Sequence, residues 1–156
     1  MLLWLMTLVS RVALAATFAL LATLAPACTT HSDAPPAPAC VSGLSLDCTP
    51  LYTPPVYQTI FDKTLHPTCA TGTGTCHTAD AAMGGLVFED VNLSYEMLLG
   101  TYGNRPRVVP GNPACSLLME RLESTDPNFH MPKGPNSILP AESCAIAQWI
   151  ANGAQR

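Results

Sequence analysis

The chain has 156 residues, seven Lys and Arg against eleven Asp and Glu, a formal net charge of −4, and a composition that is 48% hydrophobic but only 12% charged. No basic stripe is present to neutralise phosphates, so the composition argues against a nucleic-acid binder. The length suits one small domain beyond any targeting segment.

Val12 to Leu24 is a run of small and apolar residues, preceded by Arg11 and followed by Ala25-Pro26-Ala27-Cys28. It is short for a bilayer span and has the layout of a secretory h-region, so residues 1–27 are read as a secretion signal. Met1 to Ser10 is also apolar, which leaves an uncleaved anchor interrupted by Arg11 as the second reading. Cleavage before Cys28 would resemble bacterial lipoprotein processing, with that cysteine lipidated and holding the protein at a membrane. An ordinary soluble export signal is the alternative, since Ala25 stands where a larger aliphatic residue is usual. Residues 28–39, rich in proline, alanine and polar residues, read as a flexible tether. The folded domain is then 40–156. Without the signal, six basic residues face eleven acidic ones, a net charge of −5. Such a balance suits a basic redox partner, and equally serves solubility.

Within the domain, Val56, Tyr57, Ile60, Phe61 and Leu65 recur at helical spacing until Pro67, which is expected to stop the helix. A second helix is expected over Asn92 to Leu99, capped by Asn92 or Ser94 and closed by Gly100. Asn112-Pro113 reads as a cap with proline at the first helical position, followed by a stripe of Cys115, Leu118, Met119 and Leu122, with Glu120 and Arg121 on the other side. Pro140 to Ala151 is the last helix, with Glu142 in its first turn and Asn152-Gly153 at its close. The fold class is therefore mainly α. Asp62, Asp80, Glu89 and Asp90 read as solvated charges.

Two connections, Thr68 to Val91 and Ser124 to Leu139, are long for so small a helical domain unless a cofactor organises them. If Cys28 is lipidated, six cysteines remain. Proximity pairs Cys40 with Cys48 and Cys115 with Cys144 as disulfides, worth about 2.5 and 3.5 kcal/mol by loop entropy, in an oxidising compartment. Cys69 and Cys76 form the middle pair.

That pair carries the chemistry. Cys69-Ala-Thr-Gly-Thr-Gly-Thr-Cys76-His77 looks like a stretched C-x-x-C-H signature, in which two thiols add to porphyrin vinyl groups and the adjoining imidazole takes one axial face of the iron. His77 would bind through Nε2 while Nδ1–H donates to a backbone carbonyl, for which Val109 and Pro110 are candidates. Met131-Pro132, in a polar Pro-bounded loop, offers a thioether for the opposite face, with His130 as the rival sixth ligand and His66 more remote. The cofactor implied is one covalent haem c, and the function that of a single-electron carrier rather than an enzyme.

Helix, attachment site, short helices, Met-containing loop and terminal aromatic-bearing helix, in that order, resemble the class I cytochrome c fold. More narrowly, Phe61, Cys69…Cys76-His77, Gly84-Gly85-Leu86, Tyr95, Leu98, Val109-Pro110-Gly111-Asn112-Pro113, Ser116, Leu117, Met131-Pro132, Trp149-Ile150 and Gly153-Ala154 resemble the haem-c domains of exported lipoproteins of myxobacteria and planctomycetes. The resemblance covers Tyr57 to Ala154. It implies a small cytochrome c-like helical domain with long haem-wrapping loops, crossing terminal helices that bring Phe61 near Trp149 and Ile150, and one haem with His and Met ligation in the periplasm or cell envelope. The chain departs from the family in its six-residue spacer, where two residues are usual. Gly72 and Gly74 make an outward bulge accessible there. Attachment through Cys76 alone, or a haem-free Cys69–Cys76 disulfide in a binding or structural lipoprotein, are the readings that this departure keeps open. Peroxidase-like or gas-binding behaviour would follow if Met131 were not bound. A zinc site from Cys69, Cys76, His77 and His130 is disfavoured by cysteine spacing and by the exported compartment.

Overall fold

Tyr57–Ile60, a π-helical turn Phe61–Leu65 and His66–Cys69 follow one another without a break and form the first helix, α1. The computed structural model describes residues 40–71, 75–134 and 137–156, so the signal, the tether with Cys28, and Gly72 and Gly74 lie outside the described residues. Helix α1 runs through Pro67 to Cys69 instead of stopping at the proline. A mid-helix proline normally removes one hydrogen bond and strikes the carbonyl four residues back. Here the wider π turn comes immediately before it, so Pro67 falls in the first turn of the following α segment, where its missing N–H is not needed.

Helix α2 is Val91–Leu99, one residue longer at its start than the periodicity suggests. Its cap is neither Asn92 nor Ser94 but Asp90, whose Oδ1 accepts from the amides of Asn92 at 2.9 Å and Leu93 at 2.8 Å. Glu89 accepts from the Ala79 amide at 2.6 Å. Both exposed carboxylates therefore hold backbone as well as meeting solvent. Asp90→Ala should lower stability by about 1 kcal/mol. Thermal denaturation checks this, and an unchanged midpoint would show the cap to be idle.

A two-residue antiparallel pair follows, β1 (Thr101–Tyr102) with β2 (Arg105–Pro106), in the register Thr101 to Pro106 and Tyr102 to Arg105. The helix expected from Pro113 is split. Pro113–Cys115 is a 3₁₀ turn with Asn112 Oδ1 accepting from the Cys115 amide, and helix α3 starts at Leu117 and ends at Glu123. Between them Ser116 is extended, and its hydroxyl donates to the Asn112 carbonyl while accepting from the Val109 amide, each at 2.9 Å. Those side-chain bonds compensate for the interrupted helix. On α3, Glu120 is buried instead of facing outward, because Arg105 from β2 reaches it in a buried ion pair.

Helix α4 is Pro140–Ala151, as the sequence predicts. The Glu142 carboxylate accepts from the Leu139 amide at 2.9 Å, and Gly153 beyond the end has a φ of +93°.

The helices converge on Tyr57, which is fully buried. Its ring lies 5.1 Å from Trp149 of α4 and 5.2 Å from Tyr95 of α2, and its hydroxyl bonds Ser94 Oγ at 2.6 Å. Thus α1 packs on α4, the first on the last, with Tyr57 making the ring contact to Trp149 and Phe61 one turn further in the same core. Ile60, Leu98, Met119, Ile146 and Ile150 complete this apolar centre. The buried hydroxyls are paired, which is what makes their burial tolerable.

Residues 40–56 lie as a strap along α4. The Leu51 amide donates to the Ala141 carbonyl at 2.8 Å, and Gln148 Nε2 donates to the carbonyls of Leu46 at 3.2 Å and Cys48 at 3.1 Å. Two disulfides staple it, Cys40–Cys115 and Cys48–Cys144. The four cysteines are those expected, but the pairing by proximity is wrong. The strap crosses to distant segments, so each cysteine meets a partner far along the chain.

Candidate functional site

The first long connection is organised by His77. The His77 carbonyl accepts from the Phe88 amide at 2.7 Å, closing the segment into a loop whose 3₁₀ turns are Thr75–His77 and Met83–Gly85. Inside that loop His77 Nδ1 lies 3.1 Å from the Leu86 carbonyl. A carbonyl only accepts, so Nδ1 carries the proton and Nε2 keeps its lone pair. Leu86, not Val109 or Pro110, supplies the orienting oxygen. The Val109–Pro110 stretch is engaged elsewhere, through the Val109 amide to Ser116 and the Val109 carbonyl to the Asn112 amide. Desolvation by burial lowers the imidazole's pKa, which keeps it neutral at pH 7.

The second long connection folds back on α3. The Met131 amide donates to the Arg121 carbonyl at 2.9 Å, Arg121 Nη1 donates to the Phe129 carbonyl at 3.1 Å, and the guanidinium stands 4.1 Å over the Phe129 ring. Lys133 Nζ donates to the carbonyls of Pro127 and Asn128. These bonds close the loop so that Met131 and Pro132 face α3.

Between the two loops lies a cleft enclosing about 1160 Å³, part of it open to solvent. One wall is α1 through Leu65 and Cys69. Another is the first loop through His77, Met83, Leu86 and Phe88. Tyr102 and Arg107 close an edge, and α3 contributes Leu117, Leu118, Arg121 and Leu122. Met131, Pro132 and Lys133 complete it. Three of the four proposed haem residues, Cys69, His77 and Met131, thus meet in one cavity although they come from separate segments. Cys76 is half-buried beside His77 and is not among the lining side chains; it is disulfide-bonded. Cys69 is a free thiol, so the Cys69–Cys76 disulfide of the haem-free reading is not formed. Burial pushes the Cys69 thiol up to about 12, so it is protonated at neutral pH.

His130 does not line the cleft; its Nδ1 donates to the Ser124 carbonyl at 2.8 Å. His66 stacks on Phe61 and bonds the Phe88 carbonyl at 2.7 Å. Among the described residues no three His, Cys, Asp or Glu side chains come together as a metal-binding group, and no helix is long and apolar enough to cross a membrane. The sequence reading missed Met83, Arg107, Arg121 and Lys133 as cavity residues. Clustering of cations within Arg105 to Arg121 was the only signal, and it does not reveal which of them face inward.

The donor set fits a large, flat, apolar guest carrying negative charge and a metal. Leucines and Phe88 form apolar faces, an imidazole and a thioether are available as axial ligands, and a thiol stands at one side. Three cations line the cleft and no acidic residue does, in a chain that is acidic overall. Residues 74–134 are similar to the family described as Planctomycete cytochrome C; the matched stretch includes Cys76, His77 and Met131 and leaves out Cys69. No curated protein and no solved structure matches the chain.

Proposed function

We propose that the domain is a monohaem c-type cytochrome that carries single electrons in the bacterial cell envelope. The observation that carries this reading is the convergence of Cys69, His77 and Met131 on one cleft, with His77 Nδ1 tied to Leu86 so that Nε2 is the ligating nitrogen. Haem bound there supplies an iron that cycles between two oxidation states. Cys69 and Cys76, each as a thiol, would hold it covalently by adding S–H across a vinyl group, which leaves no by-product. Cys76, which is disulfide-bonded, would have to be reduced first by an external dithiol, which is itself oxidised to a disulfide. His77 and Met131 would hold the iron. Met131 is favoured over His130 because it lines the cleft and His130 does not.

The two disulfides and the family domain support an extracytoplasmic location. We place the protein in the periplasm or cell envelope, attached to a membrane through a lipidated Cys28, and working with redox partner proteins rather than on a substrate of its own.

Expression with a haem-maturation system followed by haem staining after denaturing electrophoresis tests covalent attachment. A colourless band refutes it. The oxidised protein should show the far-red methionine-to-iron absorption, lost in Met131→Ala and kept in His130→Ala. The reverse pattern would make His130 the ligand.

A further inference from the structure

Arg107 is held in a way that a surface arginine is not. Its Nη1 donates to the Met97 carbonyl at 3.1 Å, and its Nη2 to the carbonyls of Gly84 at 2.8 Å and Gly85 at 3.2 Å. A Cβ on Gly85 would lie 3.5 Å from Nη2, and one on Gly100 would lie 3.5 Å from Nη1. Gly84 and Gly85 both have positive φ, +64° and +62°, so the turn that offers its carbonyls is one that side-chain-bearing residues rarely adopt. Backbone carbonyls orient the guanidinium but do not cancel its charge. Among the described residues no carboxylate pairs with Arg107, in contrast to Arg105, which has Glu120. The same 3₁₀ turn leads into Leu86, whose carbonyl orients His77, and Arg107 and His77 line the same cleft.

We infer that Arg107 raises the reduction potential of the cofactor, acting as a fixed positive charge in the cleft and as a brace for the turn that orients His77. The inference rests on the haem reading above. The oxidised iron carries one more positive charge than the reduced iron. An uncompensated cation nearby in a partly buried site destabilises the oxidised form and raises the potential. Arg107 is a positioning residue: it touches neither thiol nor axial nitrogen.

The test uses holoprotein, with potentials measured by spectroelectrochemistry on the wild type, Arg107→Gln, Arg107→Lys and Lys63→Gln. Lys63 is an exposed cation on α1 away from the cleft, so its removal makes the same change in net charge without changing the site. Haem content of the wild type is established first, by a pyridine haemochrome assay and intact mass. Its absence would remove the cytochrome reading itself, independently of Arg107. With haem present, Arg107→Gln should shift the reduced-to-oxidised ratio at fixed ambient potential about tenfold toward oxidised, about 59 mV for one electron. Arg107→Lys, which keeps the charge, should retain most of the wild-type potential while moving the hyperfine-shifted NMR signals of the His77 ring. Lys63→Gln should change the ratio less than twofold. An Arg107→Gln potential equal to that of Lys63→Gln overturns the inference, and so does an equal fall in Arg107→Gln and Arg107→Lys. If Arg107→Gln yields no holoprotein, Arg107→Lys decides alone: a retained potential supports the fixed charge, and a tenfold loss refutes it.

Discussion

Replacing His77 by alanine should leave a folded chain that retains at most about a hundredth of the wild-type haem under conditions where Met131→Ala remains coloured. The asymmetry follows from how the two residues are held. His77 is fastened at both ends: its backbone carbonyl holds Phe88, its Nδ1 holds the Leu86 carbonyl, and its ring stands edge-on to Phe88 with centroids 5.5 Å apart. Even second-layer partners of metal ligands are worth roughly 10- to 100-fold in affinity, so loss of the pre-oriented ligand itself should reach or exceed the upper figure. Met131 sits on a loop held by side-chain-to-carbonyl bonds at its rim, and its thioether is the weaker partner of the iron. His77→Gly supplied with free imidazole should recover the spectrum in part, which an unfolded variant would not do. Haem content per polypeptide, read from pigment absorption against amino-acid analysis, decides the matter. Wild-type haem and an unaltered spectrum in His77→Ala would remove the central ligand from the proposal. Burial lowers the His77 pKa, so protons compete for Nε2 only below the ordinary histidine range, and ligation should persist through neutral pH and be lost as the pH falls.

What the sequence discloses here is local. Helix α4 is legible to its ends because proline, an acidic first turn and Asn152-Gly153 mark both boundaries within a few residues of each other. The candidate residues His77 and Met131, singled out by the contiguous signals Cys76-His77 and Met131-Pro132, do come to line one cleft. Failures occur where a residue's partner is remote. Pro67 is a stop signal by propensity, but a π turn upstream changes which carbonyl it meets. Glu120 lies on the polar side of a helical wheel and is nonetheless buried, because Arg105 arrives from another element to neutralise it. A lone charged residue in a helix cannot announce that. Asp90 is the cap by one-residue precedence over two plausible rivals. The orienting carbonyl of His77 and the inward aim of Arg107 depend on loop closure, for which periodicity offers no template.

The disulfides show the same limit, and the corrected pairing changes the energetics. Cys40–Cys115 and Cys48–Cys144 span sequence separations of 75 and 96 residues. By the loop-entropy relation each would stabilise by about 4.5 kcal/mol, against about 2.5 and 3.5 kcal/mol for the short loops that proximity suggests. The double variant Cys48→Ser/Cys144→Ser should therefore lose about 4 kcal/mol and melt more than about 10 °C lower. A loss of this size is a large fraction of the stability of a small domain. The consequence should be spread unevenly. Cutting Cys48–Cys144 loosens the strap from α4 near Ala141 and Gln148, where the hydrogen bonds of Leu51, Tyr52 and Gln148 remain. The cleft is built by α1, α3 and the two long loops, to which that strap contributes no lining residue. Holoprotein of the double variant should thus keep the wild-type absorption spectrum at low temperature while showing faster amide exchange over residues 44–52. Equal melting temperatures for the variant and the oxidised wild type would refute the long-loop pairing as a source of stability. Loss of the haem spectrum in the cold would show that the strap supports the cleft directly.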